Sequence, residues 1–188
     1  WAFWIKLKMK LINWKDDFLK RIVIIGAGAS GMLAAKVASD RGYKVIVLEK
    51  QKRCGQKLLI TGKGRCNITN NCEIEELIEN VPTNGKFLYS AFYTFTNDQV
   101  IDMFNDLGVE TKTERGKRVF PVSDKAVDVV RALEKQMRSN KNVEVLLNSK
   151  VDKIEAQDGK VKKVILSDKR EIECDSVIVA TGGVRSEE

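Results

Sequence analysis

The stretch that decides the fold is Arg21-Ile-Val-Ile-Ile-Gly-Ala-Gly-Ala-Ser-Gly31, an apolar run followed directly by a glycine-rich turn. An uninterrupted apolar run of this kind is typical of a parallel strand that is covered on both faces. The turn has the spacing G-x-G-x-x-G, and a second apolar run, Lys44-Val-Ile-Val-Leu48, lies beyond Gly42. Together these segments predict one β–α–β unit, with strands at 21–25 and 44–48 and a helix from about 29 to 41.

Each glycine of the turn has its own physical task in this interpretation. We predict that Gly26 permits the tight turn, Gly28 lets the backbone approach a pyrophosphate, and Gly31 lets helix and strand pack closely. The N-terminus of the helix offers N–H groups and partial positive charge to the phosphates. Glu49 follows the second strand, where a carboxylate can accept hydrogen bonds from ribose and would repel a 2′-phosphate. A purely structural glycine turn is the alternative, and this motif alone does not separate FAD from NAD.

The composition excludes several kinds of catalytic site. The 188 residues include no histidine, so the chain cannot build a Ser-His-Asp triad, a Cys-His pair or a His-ligated zinc site. None of the four cysteines forms a C-x-x-C pair, and we expect no metal site and a reducing, cytoplasmic environment. The longest uncharged run, at 22–35, is too short to span a bilayer, so we expect no stable membrane insertion.

The net charge of +7 is concentrated in two segments. Residues 50–65 contain six basic residues and no acidic one, which fits a loop beside a phosphate site better than a nucleic-acid-binding surface. Residues 1–19 carry all three tryptophans. Apolar residues alternate with lysines over 5–11, which predicts an amphipathic strand or a segment lying on a membrane surface. We interpret 1–19 as a leader foreign to the domain, which then comprises residues 20–188.

The remaining pattern continues the α/β order. Because a long loop in a compact domain is usually functional, we predict that 50–70 is a functional loop without regular structure. Helical pieces are expected over 73–108, with an aromatic cluster (Phe87, Tyr89, Phe92, Tyr93 and Phe95) packed in the core. Ser123 is predicted to cap a helix over 124–137. Strands are expected at 118–121, 143–147 and 177–180, with a meander formed by 150–156, 161–166 and 171–174.

The basic loop carries a resemblance to a known family. Lys57-Leu-Leu-Ile-Thr-Gly-Lys-Gly-Arg-Cys-Asn-Ile-Thr-Asn70, following the glycine turn and Glu49, resembles the signature of NAD(P)/FAD-dependent oxidoreductases similar to aminoacetone oxidases and bile-acid dienone reductases. The resemblance runs from about Lys20 to Gly183. It implies a Rossmann-like FAD-binding fold of the two-dinucleotide-binding flavoprotein type, with a β-meander and a helical insertion. Family members are considerably longer, so the fold is expected to be incomplete here.

The same resemblance implies where FAD would lie. Gly26, Ala27, Gly28, Ala29, Ser30 and Gly31 would hold the pyrophosphate, Glu49 the adenosine ribose, and the backbone of Val151 the adenine. Lys50, Lys57 and Leu58 would line the entry to the site. The flavin end would meet Gly62, Gly64, Arg65, Cys66 and Asn67, and the last strand would approach the cofactor at Thr181 and Gly182.

Two of these residues have a second interpretation. Arg65 can form planar hydrogen bonds to a carbonyl or phosphate, or it can form a surface ion pair. Cys66 can take part in redox chemistry, although we favour a small residue packed near the ring because no partner thiol lies at C-x-x-C spacing. No residue has the features of a catalytic acid or base, so the catalytic residues are left unassigned.

These observations predict the FAD-binding portion of a flavin-dependent oxidoreductase. It would pass a hydride through FAD between NAD(P)H or an organic donor and an acceptor, with a small-molecule substrate and no nucleic acid partner. Two alternatives stay open: a truncated chain that binds cofactor without catalysis, and the Rossmann domain of an NAD-dependent dehydrogenase. The second alternative is disfavoured by the long basic loop and by the meander before residues 180–183.

Overall fold

The main sheet of the computed structural model is parallel, and its four strands lie side by side in the order 176–179, 21–25, 44–48 and 143–146. The structure describes residues 20–183. The strands of this sheet are β1 (Arg21–Ile25), β2 (Lys44–Leu48), β6 (Val143–Leu146) and β10 (Ser176–Val179). Because the strands are parallel, the turns that follow β1, β2 and β10 all lie at one edge of the sheet.

Two small antiparallel sheets complete the strands. One has the order β3-β5-β4, and the other, with the order β7-β8-β9, is the predicted meander. Asp158 and Gly159, both with positive φ, form the turn between β7 and β8, as their sequence predicts. The bounds are β3 Thr69–Asn70, β4 Thr111–Glu114, β5 Arg118–Pro121, β7 Val151–Gln157, β8 Lys160–Leu166 and β9 Glu171–Glu173.

Five α-helices and two 3₁₀ turns lie in the described part of the chain. The predicted first helix is confirmed, since α1 ends at Asp40 and Gly42 follows with a φ of +87°. The predicted helical pieces over 73–108 are also present. The helices are α1 Ala29–Asp40, α2 Ile74–Glu79, α3 Tyr89–Thr94, α4 Asn97–Asp106 and α5 Ala126–Arg138, and the 3₁₀ turns are Leu58–Gly64 and Gly85–Leu88.

The core lies on both faces of the parallel sheet. Ile24 and Val47 point to the helical side and pack in one cluster with α1 and α5. Val23 and Leu48 point to the opposite side and pack against Val164 and other residues of the meander. Both faces are therefore covered, which explains the continuous apolar runs of β1 and β2. Within residues 20–183, no helix combines the length and the apolar character that crossing a bilayer would require.

Three expectations about secondary structure need correction. The segment 50–70 is not free of regular structure, because it contains the 3₁₀ turns Leu58–Gly64 and strand β3. The last helix begins at Ala126 rather than at Asp124, which has a φ of +54° and cannot be helical. Its N-cap is Lys125, whose N–H donates to Ser123 Oγ at 3.4 Å, so Ser123 is not the cap. The predicted strand at 5–11 lies outside the described residues.

The aromatic cluster is not part of the core. The Phe87 side chain is 79% exposed, and three further members, Tyr89, Tyr93 and Phe95, are exposed as well. Tyr89 and Tyr93 stack with ring centroids 4.7 Å apart, and the Tyr93 hydroxyl donates to Glu75. Sequence composition identifies these residues as aromatic, but it does not reveal that four of the five side chains are exposed among residues 20–183.

Candidate functional site

The glycine turn is shaped by two close backbone contacts. Gly26 follows β1 with a φ of +104°, and a Cβ placed there would lie 2.6 Å from the carbonyl oxygen of Ala180. A Cβ at Gly31 would lie 1.9 Å from the carbonyl oxygen of Gly26. Both positions therefore require glycine, because any side chain would collide with backbone atoms. These contacts agree with the tasks predicted for the first and third glycines of the motif.

Gly28 is different, because nothing in the fold needs the space beside it. Its φ is −80°, and a Cβ placed there would meet no atom within 4 Å. A glycine at this position is therefore not explained by backbone strain or by packing within the described residues. A ligand in this open space would explain the glycine, because a pyrophosphate that approaches the backbone there leaves no room for a side chain.

The N-terminus of α1 faces the same open space. Gly28 is the N-cap residue, forms no side-chain cap, and no acidic residue lies in the first turn. The first intrahelical hydrogen bond runs from Met32 N–H to Gly28 O at 2.9 Å. The earlier N–H groups of the turn have no partner within the helix, and Ala29 and Ser30 are exposed. This end of α1 can therefore donate hydrogen bonds to an anion.

Glu49 is fixed against the glycine turn. The Ala27 N–H donates to its Oε2 at 2.8 Å, and the Gln51 N–H donates to its Oε1 at 2.9 Å. The residue is 9% exposed, and its own carbonyl oxygen accepts from Ser149 N–H at 2.8 Å. Each carboxylate oxygen keeps a further lone pair for another donor. The structure thus places Glu49 beside the turn, while its contact with a ribose stays a prediction.

The chain near Glu49 also contains the residues predicted for the adenosine end. Lys50 comes next and is exposed. Val151 is the first residue of β7 and lies two residues after Ser149, which is buried and hydrogen bonded to Glu49. The structure therefore brings the start of the meander to the end of β2. Ser149 was missed by the sequence interpretation, which had no signal for this contact.

The basic loop is attached to both the glycine turn and the last strand. The Gly55 N–H donates to Ala27 O at 2.8 Å, and Lys57 Nζ donates to the carbonyl of Gly183 at 2.8 Å. A Cβ at Gly182 would lie 3.6 Å from Lys57 Nζ, and Thr181 Cα lies 3.2 Å from the Cβ position of Gly26. Residues 57, 181 and 182 therefore meet at the sheet edge that carries the glycine turn.

The next part of the loop, from Leu58 to Gly64, is held by local hydrogen bonds and by the core. Leu58 packs against the core on the α1 side, and its carbonyl accepts from Thr61 Oγ1 at 2.7 Å. Gly62 has a φ of +53°, and a Cβ there would touch Phe120 at 3.2 Å. Gly64 has a φ of +86° and lies in more open space, with its nearest neighbour at 3.9 Å. These contacts explain why the segment is ordered rather than an irregular loop.

The Arg65 guanidinium forms ion pairs with two carboxylates. Its Nε and Nη2 donate to Asp124 Oδ1 at 2.8 and 2.6 Å, and Nη2 also donates to Glu114 Oε1 at 2.5 Å. The group lies 4.2 Å above the centre of the Phe120 ring. Hydrogen bonds from Lys112 and Arg65 hold the pKa of Asp124 below its ordinary value. The ion-pair interpretation of Arg65 is therefore confirmed, and a contact with a cofactor stays a prediction.

Cys66 and Asn67 are positioned by the same loop. Cys66 is 2% exposed, and burial raises the pKa of its thiol, which favours the packed, protonated form that we preferred. Asn67, with its amide nitrogen turned toward the backbone, donates to the carbonyls of Val119 and Thr69 at 3.1 Å each. Both side chains therefore support the loop, and neither contact tests their predicted proximity to a flavin.

The comparisons with known proteins agree with this geometry. The family described as "HI0933-like protein Rossmann domain" matches residues 20–187. The chain belongs to this family. The predicted resemblance and the predicted Rossmann-like fold with its meander and helical segment are both confirmed.

Two curated relatives show how much of a longer protein the chain represents. It is 34% identical over 170 residues to the 3-dehydro-bile acid delta(4,6)-reductase of Clostridium scindens, covering 89% of this chain and 40% of the relative. It is 30% identical over 169 residues to the ribosomal RNA dihydrouridine synthase of Haemophilus influenzae, covering 86% and 40%. The chain therefore spans about 40% of the length of these relatives.

Solved structures show the same fold at lower identity. A flavocytochrome c3 fumarate reductase in its open conformation matches with a TM-score of 0.66 and 23% identity, over 87% of this chain and 34% of that protein. The THI4 protein of Thermovibrio ammonificans matches with a TM-score of 0.59 and 15% identity, over 96% and 62%. At these identities the comparison supports the architecture alone.

Proposed function

We propose that the chain is the FAD-binding portion of a flavin-dependent oxidoreductase. The observation that carries the proposal is the open space beside Gly28, bounded by the uncapped end of α1 and by the fixed carboxylate of Glu49. A diphosphate fits the open space at the uncapped end of α1, and a sugar diol fits the Glu49 carboxylate. The residues present therefore suit an adenine dinucleotide. Family membership favours FAD over the NAD of a plain Rossmann dehydrogenase.

The residues of the chain would divide the work of binding. The N–H groups of the first turn of α1 would bind the pyrophosphate, and Glu49 would accept from the ribose hydroxyls. Lys57, whose ammonium group lies at the sheet edge, would add positive charge next to the phosphates. When bound, FAD would accept a hydride from NAD(P)H or an organic donor and deliver it to an acceptor such as an activated double bond or dioxygen.

A second candidate is cofactor binding without turnover. It is favoured by the span of the chain, which covers about 40% of its curated relatives. The two candidates share the site described above and differ only in whether the bound flavin can be reduced and reoxidised by substrates. The substrate and the electron donor remain proposals in either case, with a small molecule expected as substrate.

The test begins with the purified chain and two titrations. FAD fluorescence and visible absorbance should show saturable 1:1 binding, and NAD at equal concentration should not displace the flavin. If NAD bound tightly and FAD did not, the proposal would be wrong. Anaerobic addition of NADH or NADPH to the FAD-loaded chain then separates the candidates, because bleaching of the flavin absorbance indicates a competent portion. A folded preparation that binds FAD but is bleached by neither nucleotide excludes reduction by NAD(P)H and favours binding alone.

A further inference from the structure

An apolar pocket adjoins the site described above and shares five of its predicted residues, Ala29, Ser30, Leu58, Cys66 and Asn67. It is a partly open pocket between α1, the segment 58–68, Phe95, α4 and α5, and its volume is about 190 Å³. Its walls are almost entirely hydrocarbon, and the apolar side chains that line it include Leu33, Leu58, Met103, Phe104, Val129 and Leu133. An apolar space of this size at the margin of a closely packed core calls for an explanation.

The chemistry of the walls selects the kind of ligand. Among the lining residues only Ser30 and Asn67 have polar side chains besides the Cys66 thiol, whose raised pKa keeps it neutral. The Asn67 amide nitrogen already donates to two backbone carbonyls. A charged group would lose its hydration here without gaining a partner, whereas a neutral hydrocarbon group would be transferred favourably.

The volume selects the size. An apolar cavity of roughly 150 Å³ binds benzene, so a cavity of about 190 Å³ accommodates one six-membered ring with roughly two or three further carbons. The three fused rings of a flavin, one of which has a polar edge, are too large and too polar for it. The pocket is therefore too small to contain the flavin ring system, and it borders residues of the predicted cofactor site, Ala29, Ser30, Leu58, Cys66 and Asn67.

We propose that this cavity is a binding site for a neutral, apolar ring or hydrocarbon group of a small-molecule ligand. The ligand enters beside the first turn of α1 and is held by burial of its surface rather than by hydrogen bonds. Its apolar end lies next to the residues that the family resemblance places near the flavin. The site does not depend on FAD being bound, so it can be tested on the chain alone.

The probe is toluene, and the reporter is the methyl group of Met103 on the cavity wall. In chain labelled with ¹³C at the methionine methyl groups, toluene should shift the Met103 signal in a saturable 1:1 titration, because a bound ring lies against that methyl. Met32 and Met137 are buried outside the cavity and serve as internal controls. Benzylammonium, which has the same ring with a positive charge, should bind at least tenfold more weakly.

Two variants locate the binding. Val100 lines the cavity, so Val100→Phe should fill it and weaken toluene binding at least tenfold. Val127→Phe makes the same change at an exposed position of α5 and should leave binding unchanged. The proposal is overturned if the Met103 shift does not saturate, if benzylammonium binds as well as toluene, or if both variants bind equally. Should Val100→Phe fail to fold, the comparison of toluene with benzylammonium still decides.

Discussion

Replacing Gly28 by alanine separates cofactor binding from folding. The φ of Gly28 is −80°, and the added Cβ would meet no atom within 4 Å, so the native fold accepts the methyl group without strain. Alanine also restricts the unfolded chain, which stabilises the fold by about 0.4–1 kcal/mol, but it is a poorer N-cap residue than glycine by a similar amount, so we expect the free energy of unfolding to change by less than about 1 kcal/mol. Urea unfolding followed by far-UV circular dichroism measures this change.

The same methyl group would occupy the space in which we place the pyrophosphate. Loss of one charge-assisted hydrogen bond to a phosphate corresponds to about 1.5–3 kcal/mol, so FAD affinity should fall roughly ten- to a hundredfold. Quenching of flavin fluorescence measures the affinity. A Gly28→Ala chain that binds FAD as tightly as the unmodified chain would refute the assignment of this space to a ligand.

Gly159→Ala is the matched control. Gly159 lies in the turn between β7 and β8 with a φ of +70° and open space around it, away from the glycine turn. Alanine in this left-handed conformation should lower the free energy of unfolding by about 1–2 kcal/mol. FAD affinity should not change. Gly28→Ala is thus expected to lose FAD affinity, whereas Gly159→Ala is expected to lose stability.

Four further outcomes follow from the structure. Gly31→Ala forces a Cβ against a backbone carbonyl at 1.9 Å, so urea unfolding should show a loss of about 3 kcal/mol or failure to fold. Glu49→Gln places an amide N–H against a backbone donor and should reduce the free energy of unfolding by about 1–3 kcal/mol, whereas the exposed Glu79→Gln should change it by less than about 0.5 kcal/mol. The pKa of Asp124 is lowered in the folded chain by its hydrogen bonds to two cations, so this carboxylate stabilises the fold above its unfolded pKa of about 3.9 and the stabilisation is lost as pH falls through the folded pKa. The stability difference between the unmodified chain and Asp124→Asn should accordingly be larger at about pH 7 than at acid pH in urea titrations, and a difference of equal size at both would contradict it. Phe87→Ala should change the free energy of unfolding by less than about 0.5 kcal/mol because the side chain is exposed, and a loss typical of core residues would contradict its observed position.

The local part of the fold was predictable because its signals are local. The bounds of β1 and β2 match the two apolar runs, and α1 ends at Asp40, just before Gly42, the glycine that the sequence marks as its stop. The contact between Glu49 and the glycine turn follows from the same unit, since parallel neighbouring strands end at one sheet edge. These features depend on residues that lie within about thirty positions of one another.

The parts that could not be predicted depend on contacts between distant residues. Asp124 has a good helix-start preference, yet it adopts a left-handed conformation with its carboxylate bound by Arg65 and Lys112, which come from other segments. The ion pairs of Arg65 join positions 49 and 59 residues apart, and no spacing rule connects them. Phe87 shows the converse, since an apolar side chain in the 3₁₀ turn Gly85–Leu88 does not reveal from the sequence whether another element covers it.

The most direct test of the account follows the backbone amides during an FAD titration. In a chain labelled with ¹⁵N, FAD should shift the amide signals of Gly28, Ala29, Ser30 and Glu49 in a saturable manner, and NAD at the same concentrations should shift them less. FAD binding that leaves these four signals unmoved, or tighter binding of NAD, would contradict the assignment of the glycine turn and Glu49 to an FAD site.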